Sequence, residues 1–413
     1  MSAVLRGVVG LALPCLFLYF LCRSPEHKNS VEDQLMKHRE IADFSFWNAK
    51  KLGERLTIRA KANARLVAAF NLDNSFTTSD VHVHQEFVRR AKGAIHLVHT
   101  DDWMKLGAVT QTILDLCLRH FKAGHPYIPL ASLVRVVAFS VVLHILFNID
   151  PLDIDLDEAI KATNAINRLW IQSKDNQSVP SSYEKKVLDN ALQMLLQNEF
   201  PCDKRSHPLN LIMPAYETLW RVILLTYVEV ANMAPDSHAA EEIQEAVRNV
   251  PQCFCQGNEA EKRALAIAKE GLRLYPPTKR IYRADADYHD HNIAADVEFW
   301  QRNRDIWSDA LYFKPARFYH WPNEGAVESM RERRLRSQSY FPFGVGRHIC
   351  PAAGGFGDKI ITLLVVELVR RFGTAITGSK IHFGLQRNRR FGPLPTGRGA
   401  MEDWVLELES GGD

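Results

Sequence analysis

The sequence predicts a mainly α-helical protein with small β-sheets (α+β), built as one large domain behind an apolar amino-terminal segment. Three observations carry this expectation. Apolar residues recur at helical spacing in a series of segments between residues 52 and 273. From Pro276 to Phe343 the pattern breaks into short extended pieces, turns and prolines. No repeat, low-complexity tract or shift of composition divides residues 52–413. With 46% hydrophobic and 24% charged residues, the chain has a globular balance, and 413 residues can bury a large core. A net charge of +3 gives no support to nucleic-acid binding. The seven cysteines are scattered and odd in number, so they do not form a disulfide framework. Cys253 and Cys255 form a C-x-C with no second Cys or His pair beside it, which argues against a metal site there.

Each element follows in chain order. Met1 to Cys22 is apolar except for Arg6 and is just long enough to span a bilayer. It lacks a small-x-small cleavage site, so an uncleaved membrane anchor over 1–22 is predicted. Arg23 and Lys28 outnumber Arg6, which places the body on the cytosolic side. Residues 23–51 read as a polar linker or an amphipathic helix. Helical patterns follow at 52–68, 82–98, 108–121, 131–147, 156–171, 184–199, 209–231, 237–249 and 259–273. "NLDNSFTTSD", "SKDNQSVPSS" and "NVPQCFCQGN" have loop composition. A last long helix covers 352–372, and short strands finish the chain.

The chemistry is concentrated in "FPFGVGRHICPAAGG", residues 341–355. Cys350 precedes an almost wholly apolar helix, with Pro351 at a position that suits a helix start. A helix amino terminus favours a thiolate and is expected to lower the cysteine pKa. Gly344 and Gly346 allow a sharp turn and a close approach to something flat or bulky. Arg347 and His348 supply positive charge. These features suit a haem iron with a sulfur axial ligand and two propionates to neutralise. A buried cysteine in a helix-capping loop is the alternative.

"FGVGRHICPA" also resembles the haem-binding signature of the cytochrome P450 family, with Phe343, Gly344, Gly346, His348 and Cys350 at the motif positions. The usual arginine two before the cysteine is His348 here, and the usual glycine two after it is Ala352. "EGLRLYPPTKR" is similar to the family's E-x-x-R stretch, with Glu270 and Arg273 one helical turn apart. "FKPARF" resembles its meander motif and offers Arg317 as third member of a buried Glu–Arg–Arg cluster. The resemblance implies that Arg280 contacts a haem propionate, and that Arg89 or Arg90 of "DVHVHQEFVRRAKGAI" does so too. His82 and His84 in that stretch are expected to face solvent. In "MPAYETLWRV" the family's oxygen-side positions fall on Pro214, Ala215, Glu217 and Thr218. Pro214 is expected to bend the helix, with Thr218 facing the iron and Glu217 relaying protons.

What the resemblance implies about function is specific. The chain is expected to bind haem b through Cys350 and to use O2 to hydroxylate or otherwise oxidise an apolar small molecule. The pattern is most like fungal members of secondary metabolism. Desaturation, coupling or rearrangement on the same fold is one alternative, and a non-catalytic haem-binding protein is another. No flavin or nicotinamide motif occurs, so electrons are expected from a separate NADPH-dependent flavoprotein reductase. Arg331, Arg333, Arg334 and Arg336 form a basic run that would steer an acidic partner, or merely a solvated face. The expected location is the endoplasmic reticulum membrane, with a cytosolic catalytic domain at 52–413. About 80 residues precede "DVHVHQ", so the first sheet is expected to be reduced or missing.

Overall fold

The computed structural model describes residues 30–407, except 48, 97–101, 123–126, 176–178, 198–203, 234–237, 285–291, 320–328, 375–376, 378–379 and 385–391. The proposed anchor at 1–22 lies outside the described residues. The first helices are α1 (Val31–Asp43), α2 (Leu52–Ala62), α3 (Ala64–Phe70), α4 (Val81–His96) and α5 (Asp102–Lys122). Strand β1 (Tyr127–Pro129) leads into α6 (Leu130–Phe147), α7 (Leu156–Gln172), α8 (Ser182–Leu196), α9 (Leu209–Tyr216), α10 (Leu219–Ala231), α11 (His238–Asn249) and α12 (Glu259–Leu274). Then follow β2 (Arg280–Ala284), β3 (Asn292–Asp296), α13 (Val297–Gln301), α14 (Met330–Ser339), α15 (Phe356–Phe372), β4 (Lys380–His382) and β5 (Val405–Glu407).

Local chemistry explains where helices begin. Ser30 Oγ accepts from the Asp33 N–H at 3.1 Å, and the Asp33 carboxylate accepts from the Ser30 N–H at 3.1 Å. This capping box satisfies two orphan donors and starts α1 inside the segment expected as linker or amphipathic helix. Asp155 caps α7 through the N–H groups of Asp157 and Glu158, and Asn258 caps α12 through that of Glu261.

The core is helix on helix. Every residue of α6 from Leu133 to Leu143 is buried, including Arg135 and Ser140, the mark of a helix enclosed on all sides. α6 packs against α5, α7 and α10, and α15 against α10 and α12. Leu130–Phe147 and Leu209–Ala231 are long and apolar enough to cross a membrane, but both lie mostly buried inside the fold. They are core helices.

The sheets are small and antiparallel. β5 sits between β1 and β4, with Ile128 and Ile381 both opposite Leu406. β2 and β3 form a hairpin in which Arg280 faces Asp296 and Arg283 faces Ile293. Among the described residues no earlier strand extends that hairpin; α1 and α2 pack there instead. Among the described residues that sheet has two strands.

The segment expected as one helix over 209–231 is two, α9 and α10, joined by Glu217 and Thr218. Pro214 lacks the N–H that would bond the Asn210 carbonyl. That carbonyl accepts instead from Asn74 Nδ2 at 3.0 Å. The helix is thus interrupted without leaving a buried acceptor unpaired.

Candidate active site

Cys350 ends a tight loop. Its N–H donates to the Phe343 carbonyl at 2.9 Å, closing residues 343–350. Gly344 and Gly346 have φ of +76° and +66°, the left-handed region that favours glycine. At Gly346 space is also decisive: a Cβ there would lie 1.5 Å from Asp43 Oδ1. That same oxygen accepts from the Arg347 N–H at 3.0 Å, so α1 holds the loop. Phe343 is half-buried, and its ring lies against Gly357, where a Cβ would approach it to 2.6 Å. Close packing thus accounts for Gly357, whereas a Cβ at Gly354 or Gly355 would meet open space.

The thiol differs from expectation. Cys350 starts only a short 3-10 turn, Pro351–Gly354, and α15 begins at Phe356 after Gly355 at φ +99°. The long helix therefore does not start at the cysteine. Cys350 keeps solvent contact, yet desolvation by its surroundings raises the thiol pKa, against the pull of the Ala352 N–H and the Arg59 charge. Iron coordination would itself hold the sulfur deprotonated.

Beside the loop lies a cluster of basic residues from four segments. Arg55 and Arg59 of α2, Arg283 of β2, and the rings of His84 in α4 and His348 meet there. Arg55 Nε donates to His348 Nε2 at 3.2 Å. The His348 ring is 5.5 Å from that of His84 and 5.0 Å from that of Phe44. Arg283 stacks over the same Phe44 ring at 4.1 Å. Arg59 donates to Ser75 Oγ at 3.1 Å, and Ser75 Oγ is 2.7 Å from His84 Nδ1. The three arginines are buried. Asp43 lies near Arg55; among the described residues no carboxylate pairs with Arg59 or Arg283. Burial, then Arg59, His84, Arg55 and Arg283, push the His348 pKa down to about 3. Burial and the Arg59 charge lower Arg283 to about 9. His348 Nδ1 and Arg283 Nε are buried without a hydrogen-bond partner.

Two expected members are elsewhere. Arg280 is exposed and pairs with Asp296 at 2.8 Å. It stands three residues from Arg283, and strand side chains alternate, so the two point to opposite faces. Arg89 is 73% exposed and pairs with Glu86 at 2.6 Å on the outer side of α4. His84, expected in solvent, is the residue of that helix that reaches the cluster. Arg347 is exposed, so His348 is the basic residue of the loop that faces inward.

The expected structural cluster does assemble. Arg273 Nε and Nη2 donate to the two oxygens of Glu270 at 2.7 and 2.8 Å, and Arg317 Nε donates to Glu270 Oε1 at 3.1 Å. Glu270 and Arg273 are fully buried. Arg273 further donates to the carbonyls of Gln301, Ala310 and Tyr312. Gln301, fully buried, links this cluster to the cysteine loop. Its Nε2 donates to the carbonyls of Leu272 and Arg273, and its Oε1 accepts from the Phe341 N–H at 3.1 Å.

On the interrupted helix, Glu217 is buried and forms an ion pair with Arg398. Arg398 Nη1 donates to Asn167 Oδ1 at 2.9 Å, and Asn167 Nδ2 to Glu402 Oε1 at 2.8 Å. Arg135 also binds Glu402. The Thr218 hydroxyl donates to the Pro214 carbonyl at 3.4 Å. Elsewhere, Arg331 and Arg334 of α14 are largely exposed and face Glu32 at 3.6 and 4.0 Å. Cys253 is buried with its pKa pushed up to about 11, and Cys255 Sγ lies 3.0 Å from Lys359 Nζ. No group of three metal-ligating side chains occurs among the described residues.

The family model described as cytochrome P450 matches residues 236–388, which carry Glu270, Arg273, Arg317 and Cys350. Over that stretch the chain is similar to the cytochrome P450 family. Curated relatives agree at modest identity. A P450 of Panax ginseng is 33% identical over 150 residues, 33% of this chain and 39% of the relative. The (S)-N-methylcanadine 1-hydroxylase of Papaver somniferum is 32% identical over 127 residues, 28% of this chain and 21% of the relative. A flavonoid-6-hydroxylase of Ocimum basilicum is 35% identical over 117 residues, 26% of this chain and 21% of the relative. The chain thus spans well under half the length of these relatives. Two P450 structures from Thermus thermophilus share the fold. One aligns with a TM-score of 0.51 over 77% of both chains at 16% identity. The other, described as six-coordinated, aligns with a TM-score of 0.52 over 86% of this chain and 85% of that one at 17% identity.

The cofactor of the P450 family is haem on a cysteine thiolate. The residues present fit it. Buried cations without matching carboxylates, with His348 Nδ1 and Arg283 Nε left unpartnered, suit a dianionic group beside a cysteine. Burying such charge unpaired is costly.

Proposed function

We propose that this protein is a haem-thiolate monooxygenase that oxidises a small organic molecule. One observation carries the reading: Cys350 ends a loop whose His348 joins Arg55, Arg59, Arg283 and His84 in a buried cluster short of anions. Cys350 would ligate the iron, and the cluster would hold the two propionates, with His348 donating from Nδ1. When bound, haem supplies dioxygen activation and the oxidising power to place one oxygen atom in a substrate bond. The chain's own part is to bind, orient and deliver protons. Glu217, held as a carboxylate by its ion pair with Arg398, would take up a proton and pass it on. Thr218 would pass a proton from its Oγ1, since its present bond to the Pro214 carbonyl is long and readily exchanged for one to water. Electrons would come from a separate NADPH-dependent flavoprotein reductase, with exposed arginines of α14 as the docking face. Attachment to the endoplasmic reticulum by residues 1–22, a cytosolic body and a place in secondary metabolism belong to the same proposal, supported by the sequence pattern.

The test is spectroscopic. Reduced protein under carbon monoxide should give the red-shifted Soret band of sulfur-ligated haem, and Cys350→Ala should lose it. Retention of that band in Cys350→Ala, or no haem uptake by the wild type, sinks the assignment.

A further inference from the structure

The loop "NLDNSFTTSD", which composition marks only as a connection, is pinned between the interrupted helix and the basic cluster. Asn74 Nδ2 donates to the Asn210 carbonyl at 3.0 Å, the acceptor that Pro214 leaves free, and the Asp73 N–H donates to Asn210 Oδ1 at 2.8 Å. Thr77 Oγ1 donates to the Leu72 carbonyl at 3.1 Å, and the Phe76 N–H to Asn74 Oδ1 at 2.9 Å. The Arg59 guanidinium lies over the Phe76 ring at 4.1 Å. Ser75 sits among these anchors and is 3% exposed, so its hydroxyl must find its partners inside the protein.

Counting hydrogens fixes which nitrogen of His84 carries the proton. Arginine has donors only, so Ser75 Oγ accepts from Arg59 Nη1 at 3.1 Å. The hydroxyl keeps one hydrogen to donate, and among the described residues its acceptor at hydrogen-bond distance is His84 Nδ1, 2.7 Å away. Were Nδ1 the donor, that buried hydrogen would go unpaired, which is unfavourable. Nδ1 therefore accepts, and the neutral ring carries its hydrogen on Nε2. Desolvation, then the charges of Arg59 and Arg55, lower the His84 pKa, which keeps the ring neutral. His348 is fixed the other way round. Its Nε2 accepts from Arg55 Nε at 3.2 Å, so its hydrogen sits on the unpartnered Nδ1. The two rings, of opposite tautomer, stand 5.5 Å apart.

We propose that Ser75 is a positioning residue for haem binding: it fixes His84 in the Nε2–H tautomer, so that this nitrogen donates to a propionate. This deepens the haem-thiolate reading and rests on it. The cluster would then present two neutral donors, His84 Nε2 and His348 Nδ1, among three arginines, and would hold two carboxylates by direction as well as by charge.

Amide side chains mimic the two tautomers, since glutamine places its NH2 near the position of Nε2 and asparagine near that of Nδ1. The haem-loaded full chain is mixed with excess apomyoglobin and haem transfer is timed. His84→Gln should release haem within about twofold of the wild type, and His84→Asn about tenfold or more faster, the scale of one hydrogen bond to a charged group. Ser75→Ala should release it as fast as His84→Asn, and Ser75→Thr, which keeps the hydroxyl, should stay close to the wild type. The tautomer is read from nitrogen-15 spectra of histidine-labelled protein, reduced and under carbon monoxide. The signal missing from His84→Gln should report Nε2–H in the wild type and lose that preference in Ser75→Ala, which a loss of packing alone would not cause. Equal release from His84→Gln and His84→Asn, wild-type release from Ser75→Ala, or a wild-type His84 that reports Nδ1–H overturns the proposal. If Ser75→Ala does not fold, the His84 pair and the wild-type spectrum decide it. A wild type that takes up no haem sinks the haem-thiolate reading and this proposal with it, whereas a normal thiolate band with equal release rates removes this proposal alone.

Discussion

Asp358 sits in the first turn of α15, and its Oδ1 is buried with no hydrogen-bond partner. Desolvation lifts its pKa from 3.8 to about 6, against the pull of Lys269. Between those values the folded protein keeps a proton that the unfolded chain has released. Stability therefore falls as pH rises through that window and stays lost above it. Asp358→Asn should stabilise the protein above about pH 6, by on the order of 1–3 kcal/mol once the shift is discounted for its partial solvent contact. The gain should vanish near pH 3.8. Urea unfolding of both proteins across this range checks it; an equal gain at every pH would remove titration as the cause. The same scale explains the misplaced propionate ligands. Sequence shows Arg280 and Arg283 alike, but only burial of Arg283 separates a site residue from a surface ion pair.

At the scale of the element, the interruption between α9 and α10 is the feature with consequences. Pro214 withdraws one N–H, Asn74 takes the freed carbonyl, and Thr218 bonds back to the Pro214 carbonyl at 3.4 Å. A hydroxyl held this loosely can exchange its partner for water and move a proton. Thr218→Ala should leave haem content, the thiolate spectrum and substrate affinity nearly unchanged. Product formed per electron consumed should fall and peroxide release should rise, within the roughly 10²–10⁴ range of a general acid–base contribution. Thr218→Ser, which keeps the hydroxyl, should be much milder. Measured coupling and peroxide yield decide the point, and normal coupling in Thr218→Ala would rule the relay out.

Across the whole molecule, three distant segments are joined through Gln301. It binds the end of α12, stands at the end of α13, and holds Phe341 at the entry to the cysteine loop. Gln301→Ala would leave two buried carbonyls and one N–H without partners, a cost of about 2–4 kcal/mol. We expect a lower urea midpoint together with weaker haem retention, because the same bond positions the loop that carries Cys350. Gln301→Glu keeps the acceptor for Phe341 but loses both donors, so it should retain haem better than Ala while remaining destabilised. Wild-type unfolding and haem content in Gln301→Ala would show that the loop is held without this link.

The sequence by itself determined the helical domain, the loop around Cys350 and the Glu270–Arg273–Arg317 cluster. The helices, the glycine turns and the Glu270–Arg273 pair depend on local spacing: a period of 3.6, glycines at positive φ, and two charged residues one turn apart; Arg317, 47 residues from Glu270, was expected only from the family resemblance. It also pointed to a disturbed helix at Pro214, because a missing N–H is a property of the residue; the break itself falls at Glu217 and Thr218. Tertiary structure alone decided which basic residues lie near Cys350. Arg55, Arg59, His84 and Arg283 lie far from the cysteine in sequence, and nothing in their neighbours marks them as buried. It likewise decided that α15 begins only at Phe356, and that Glu217 meets Arg398 rather than solvent. Pairing across 181 residues of chain, from Glu217 to Arg398, is set by packing of whole elements, and no local pattern encodes it.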